Sequence, residues 1–250
     1  MTSSELVAAT AQHSASRDRL VLAVYSSSIF VSALLLFSVQ PLFTRMVLPR
    51  LGGSAAVWSV AMVFFQSLLL AGYAYAHYLT QIRSRAVAVA AHLALLVIAW
   101  LMLPLSIASG WGEPPRSGYA FWLLGLFAVS IGLPFFALAA NNPLLQAWFV
   151  RTGHLNGPDP YFLYASSNIG SFLALLSYPL LLEPIFTLRT QNLLWSGGYG
   201  VLIVLIAGCG LLLLRSPATE AVDRPAADRD APAPPWMLRA RWIFLAAVPS

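Results

Sequence analysis

The stretch 160-PYFLYASSNIGSFLALLSYPLLLEP-184 decides how this chain is read. It carries no charge until Glu183. A helix rises about 1.5 Å per residue, so about 20 apolar residues cover the roughly 30 Å hydrocarbon core of a bilayer. The stretch meets both requirements. At helical spacing Tyr164, Ser167, Asn168, Ser171, Ala174 and Tyr178 share one face, and Phe162, Ile169, Leu173, Leu176 and Leu180 share the other. Small, hydrogen-bonding residues let a neighbouring helix approach closely, while bulky apolar ones face lipid. The polar face therefore either packs inside a bundle or lines a polar path.

Composition extends this reading to the whole chain. Of 250 residues, 59% are hydrophobic and 9% are charged, against about 25% charged in a soluble domain. The basic residues are all Arg and sit at segment ends without forming a stripe. That excludes nucleic acid as a partner and makes the lipid bilayer the expected one. His13, His77, His92 and His154 are far apart, and Cys209 is the lone cysteine, so neither a metal site nor an internal disulfide is expected.

Taken in order, residues 1–19 read as a flexible polar arm. Leu20–Val39 reads as a retained first span, because a cleaved leader has a shorter apolar core of about 7–15 residues. Gln40-Pro41 should end it, and 42–51, interrupted by Arg45, Pro49 and Arg50, looks interfacial. Ser54 can cap the next helix. Further spans are expected at about 55–77, 86–104, 118–140, 160–184 and 191–214. Pro134 should kink the fourth, and Asn141-Asn142-Pro143 should stop it. Glycines 197, 198, 200, 208 and 210 favour close packing of the sixth. Residues 215–235, rich in Ala, Pro, Asp and Arg, read as a disordered linker. Residues 236–250 then resemble the start of a seventh span, which makes the chain look like a fragment.

Orientation follows from Arg. With a cytoplasmic N-terminus, ten Arg fall on inside segments, and Arg45, Arg50, Arg116 and Arg189 make four outside. The positive-inside rule thus places both the N-terminus and the linker in the cytoplasm. Trp58, Trp111, Trp148 and Trp195, near segment ends, suit an aromatic belt.

Four stretches carry a family resemblance: ALLLFSVQPLF at 33–43, LGGSAAVWSVAMVFFQSLLLAGYAYAH at 51–77, PLLQAWF at 143–149 and DPYFLYASSNIGSFLALLSYPLLLEP at 159–184. Together they resemble the N-terminal membrane region of bacterial spermidine-synthase-like proteins, which are fused major-facilitator/spermidine-synthase proteins. The spans and linker read as an all-α, polytopic helical membrane bundle of the bacterial inner membrane, six spans plus the start of a seventh, laid out like one half of a major-facilitator-type transporter, and the resemblance implies such a multi-span region. It also implies an aminopropyltransferase-like domain downstream, with a Gly-rich nucleoside loop and a catalytic Asp. Neither feature stands in these 250 residues. Major-facilitator proteins usually carry an Asp between spans two and three, where this chain has Gly72 and Ala76. The expected role is an integral membrane domain that anchors or supplies that catalytic part. The alternatives are half of a transporter for a small solute, such as a polyamine or other cation, and a non-catalytic scaffold.

Candidate sites are few. No nucleophile–base pair, paired carboxylates or phosphate loop is present, so no catalytic residue and no cofactor is assigned. Intramembrane polar residues mark function or hold helices together. Here they are Gln66, His92, Asn141, Asn142, Ser167, Asn168 and Ser171. His92 is either a neutral interhelical hydrogen-bonder or a proton relay. Asn141-Asn142 is either a helix stop or a hinge. Glu183, with Arg45 and Arg50 on the same side, forms a lock at the outer mouth or attracts a cation.

Overall fold

The computed structural model describes residues 3–51, 54–108, 111, 115, 117–154 and 161–216, with side chains from residue 16 onward. The Arg50 side chain, the expected linker past residue 216 and the expected seventh span lie outside the described residues. Regular structure among the described residues is entirely helical. Helix α1 spans Ser3–Leu51, α2 Ala55–Gln81, α3 Arg85–Trp100, α4 Tyr119–Val150, α5 Tyr161–Ile185 and α6 Leu188–Arg215. Five are long and apolar enough to cross a membrane: the Ser16–Pro49 part of α1, then α2, α4, α5 and α6. Helix α3 is apolar but has 16 residues.

Several expected boundaries differ from those observed. Gln40-Pro41 does not end the first span, and 42–51 is not a separate interfacial segment, because α1 runs through Pro41 and Pro49 to Leu51. The reason is packing. Val39, Leu42, Phe43 and Val47 are all buried, so the apolar face continues past the proline, and membrane helices tolerate the one lost backbone bond. At its other end α1 is already helical from Ser3, where a flexible arm is expected.

Asn141-Asn142-Pro143 does not stop the fourth span; it lies inside α4, which continues to Val150. These asparagines spend their side chains on other helices rather than on local turns. The third span is shorter than expected, turning at Leu101 instead of Pro104. Asn192 clasps the chain beyond it: the Leu105 N–H donates to Oδ1 at 2.9 Å, and Nδ2 donates to the Leu105 carbonyl at 2.6 Å.

Prolines inside α4 and α5 are absorbed by wide turns. Ala128–Gly132, just ahead of Pro134, is π-helical, and so is Tyr178–Leu182, which contains Pro179 and precedes Pro184. A proline ring clashes with the carbonyl four residues back, and a π-bulge relieves that clash. At the end of α5, Gln191 Nε2 on α6 donates to the Leu182 carbonyl at 3.0 Å, which also accepts from the Phe186 N–H, and to the Phe186 carbonyl at 2.8 Å.

Helices α1 and α4 form the centre. Helix α1 packs along α5 and α6 and against α4; α4 also carries α2, and α3 fits against α6 and α4. Trp148 and Trp195 belong to this core rather than to an aromatic belt. Trp195 Nε1 donates to the Leu35 carbonyl at 3.0 Å, which satisfies a buried indole. Small residues set two of the closest approaches. A Cβ on Gly170 would lie 2.5 Å from the Phe30 carbonyl oxygen of α1, and one on Gly72 would lie 2.7 Å from the Ala139 Cβ of α4.

The two ends of the bundle differ in chemistry. At one, guanidiniums meet helix C-termini, where carbonyls lack partners and the dipole is negative. Arg17 donates to the Ser216 hydroxyl at 3.0 Å, Arg85 to the Ser216 carbonyl at 3.5 Å, and Arg151 to the Thr80 carbonyl. At the other end Ser54 caps α2 and Thr187 caps α6, close in sequence to Arg45 and Glu183.

Candidate functional site

Two polar centres stand out in a largely apolar bundle. The first is fully buried and joins three helices. Asn141 Nδ2 on α4 donates to Ser32 Oγ on α1 at 3.0 Å, and its Oδ1 lies 2.8 Å from His92 Nε2 on α3. With Nδ2 used as donor, Oδ1 accepts, so His92 carries a proton on Nε2. His92 Nδ1 meets no hydrogen-bond partner. The ring is enclosed by Tyr75 and Trp148, with centroids 6.0 and 6.1 Å away. Interhelical bonds of this kind contribute about 0.6 kcal/mol each on average. The chain Ser32–Asn141–His92 therefore fixes register between α1, α3 and α4 more than it stabilises the bundle. Next to it, Asn142 Nδ2 donates to Ser167 Oγ on α5 at 2.8 Å. The side chains of His92, Asn141, Asn142 and Ser167 thus meet at two successive residues of α4.

Asn168 and Ser171 stand apart from that network. Asn168 is exposed, and Ser171 Oγ donates to its carbonyl at 3.0 Å within α5. The inward face of α5 is set by Leu163, Gly170, Ala174 and Tyr178. Tyr164 points outward, as do Ile169, Leu173, Leu176 and Leu180. The face drawn from sequence is therefore rotated: it includes Ala174 and Tyr178 but also two outward residues.

The second centre is a cleft of about 690 Å³ bounded by α1, α2, α4 and α5. Such volumes suit a small-molecule ligand. Its walls are apolar and aromatic: Phe37 and Leu48 from α1, Trp58, Phe65 and Leu69 from α2, and Phe135 from α4. Gln40, Thr44 and Gln66 supply neutral polar groups. Arg45 and Glu183 line it as well. Arg45 Nη1 lies 3.8 Å from Glu183 Oε1 and donates to the Glu183 carbonyl at 3.4 Å. The pair tethers α1 to the end of α5. Side-chain exposures of 39% and 49% make it a weak contact of about 0–1 kcal/mol. Tyr178 also borders the cleft, but its hydroxyl is committed to Gln191 Oε1 at 3.0 Å.

Sequence reading reaches Arg45 and Glu183 together, as an outer-mouth pair with Arg50, and Gln66 apart from them. It misses Gln40 and Thr44, because an expected break at Gln40-Pro41 puts Gln40 at a helix end and Thr44 in an interfacial segment. Their spacing of four residues on an unbroken helix is the signal that places them on one face. Among the described residues no group of three or more metal-ligating side chains comes together. No family model, curated protein or solved structure matches this chain.

Proposed function

We propose that this chain is a multi-pass domain of the bacterial inner membrane, six spans with α3 counted, that holds a small organic solute in the cleft beneath the Arg45–Glu183 pair. It serves as the membrane domain of a spermidine-synthase-like protein, in the layout of one half of a major-facilitator-type transporter, with its N-terminus in the cytoplasm. One observation carries the reading. Of the eighteen described residues that line the cleft, fourteen lie within three of the stretches that carry the family resemblance, 33–43, 51–77 and 159–184. The third stretch is far from the first two in sequence, yet all three share one cavity, which is expected when they resemble the family because of what the cavity holds.

The surface supports the membrane assignment. Phe121, Leu70, Val204 and Phe172 are 82%, 71%, 71% and 63% exposed, an arrangement suited to lipid and ill suited to water. The clustering of Arg17, Arg85 and Arg151 at one end supports a cytoplasmic placement of that end.

Ligand-dependent thermal stabilisation of the protein in detergent tests the cleft. A ligand bound only by the folded state raises Tm in proportion to the logarithm of its concentration. A panel of small amphiphiles should contain compounds that do so, and Thr44→Trp, which fills the cleft from α1, should abolish the shift. A shift that survives Thr44→Trp, or a panel with no active compound, would contradict the proposal.

A further inference from the structure

The charges of the cleft come as a single pair. Among its described lining residues Arg45 and Glu183 alone are ionised, one of each sign. They meet at 3.8 Å with both side chains partly exposed, so the contact can be opened at little cost. Around them the walls are aromatic and aliphatic, with the amides of Gln40 and Gln66 as neutral donors and acceptors. A ligand with one charge would take one member of this pair and leave the other unpartnered beside an apolar wall, which is unfavourable. A ligand with both charges replaces the pair partner for partner.

We propose that the cleft binds an amphiphile with a zwitterionic head. Its anionic end sits on the Arg45 guanidinium, which suits a carboxylate or phosphate. Its ammonium sits on the Glu183 carboxylate, and its hydrocarbon part lies along Phe37, Phe65 and Phe135. The inference rests on the reading of the cleft as a binding site. A free apolar amino acid and a zwitterionic phospholipid share this chemistry.

Equilibrium binding to the whole chain in detergent distinguishes the cases. The probes are leucine as a free zwitterion, leucinamide as its cation, 4-methylpentanoate as its anion, 4-methylpentanamide as the uncharged form and lysophosphatidylethanolamine as the lipid. One of the two zwitterions should bind about tenfold or more tighter than every singly charged or neutral analogue. Leucine ahead of the lysolipid marks a free solute, and the reverse order marks a lipid. Arg45→Gln and Glu183→Gln should each remove the preference, and the exchanged pair Arg45→Glu with Glu183→Arg should restore it. If leucinamide, 4-methylpentanoate or 4-methylpentanamide binds as well as the zwitterions, the ligand class is overturned while the cleft remains a binding site. If no probe binds at all, the cleft reading falls with it.

Discussion

At the residue scale, two asparagines of similar appearance in the sequence have opposite environments. Asn141 is fully buried between Ser32 and His92, whereas Asn168 is exposed on α5. Replacing Asn141 by Leu removes both bonds and leaves His92 without a partner on either nitrogen. The expected loss is about 1–3 kcal/mol, read as a lower Tm in detergent. Asn168→Leu should leave Tm and solute binding unchanged. A destabilised N168L with an unaffected N141L would reverse the assignment. The residue type was legible in the sequence, because a polar side chain in a long apolar run stands out. Its environment was not legible. On α5 small residues occupy much of the circumference, so Ser167, Asn168, Gly170 and Ser171 do not define a narrow stripe, and the inward direction is set by contact with Phe30 and Ala33 of α1.

At the element scale, the apolar runs announced the helices, while the prolines misled about where they end. Pro41 and Pro143 lie within continuous helices, and Pro134 and Pro184 follow π-helical turns that contain the carbonyl four residues back. In water a mid-helix proline costs about 3 kcal/mol. In a bilayer an uncoiled segment would leave still more backbone groups without partners, so the helix persists. Glycines make the complementary point. Gly170 sits where any Cβ would meet the Phe30 carbonyl at 2.5 Å, but Gly197 has open space around it. Gly170→Ala should force α5 away from α1 and cost about 1–3 kcal/mol, seen as a lower unfolding temperature. Gly197→Ala should be neutral or slightly stabilising, since alanine is the better helix former. Equal effects at the two positions would show that the α1–α5 contact is looser than described.

At the scale of the whole molecule, the fold places a register-fixing polar chain at the centre and an amphipathic cleft towards the end marked by Arg45 and Glu183. The helical, apolar character of the bundle was plain from composition and run length. The cleft was not, because it draws on α1, α2, α4 and α5, and no local pattern links Gln40, Gln66 and Glu183. Both the membrane orientation and the accessibility of the cleft can be read by cysteine labelling, since the native Cys209 is buried. The most direct measurement treats intact cells with a membrane-impermeant maleimide, using Thr44→Cys in the cleft and Ile82→Cys in the α2–α3 turn. The account predicts that the cysteine at 44 reacts from outside, and that the one at 82 reacts only after the cells are permeabilised. Labelling at 82 with protection at 44 would contradict the account, as would equal labelling of both in intact cells.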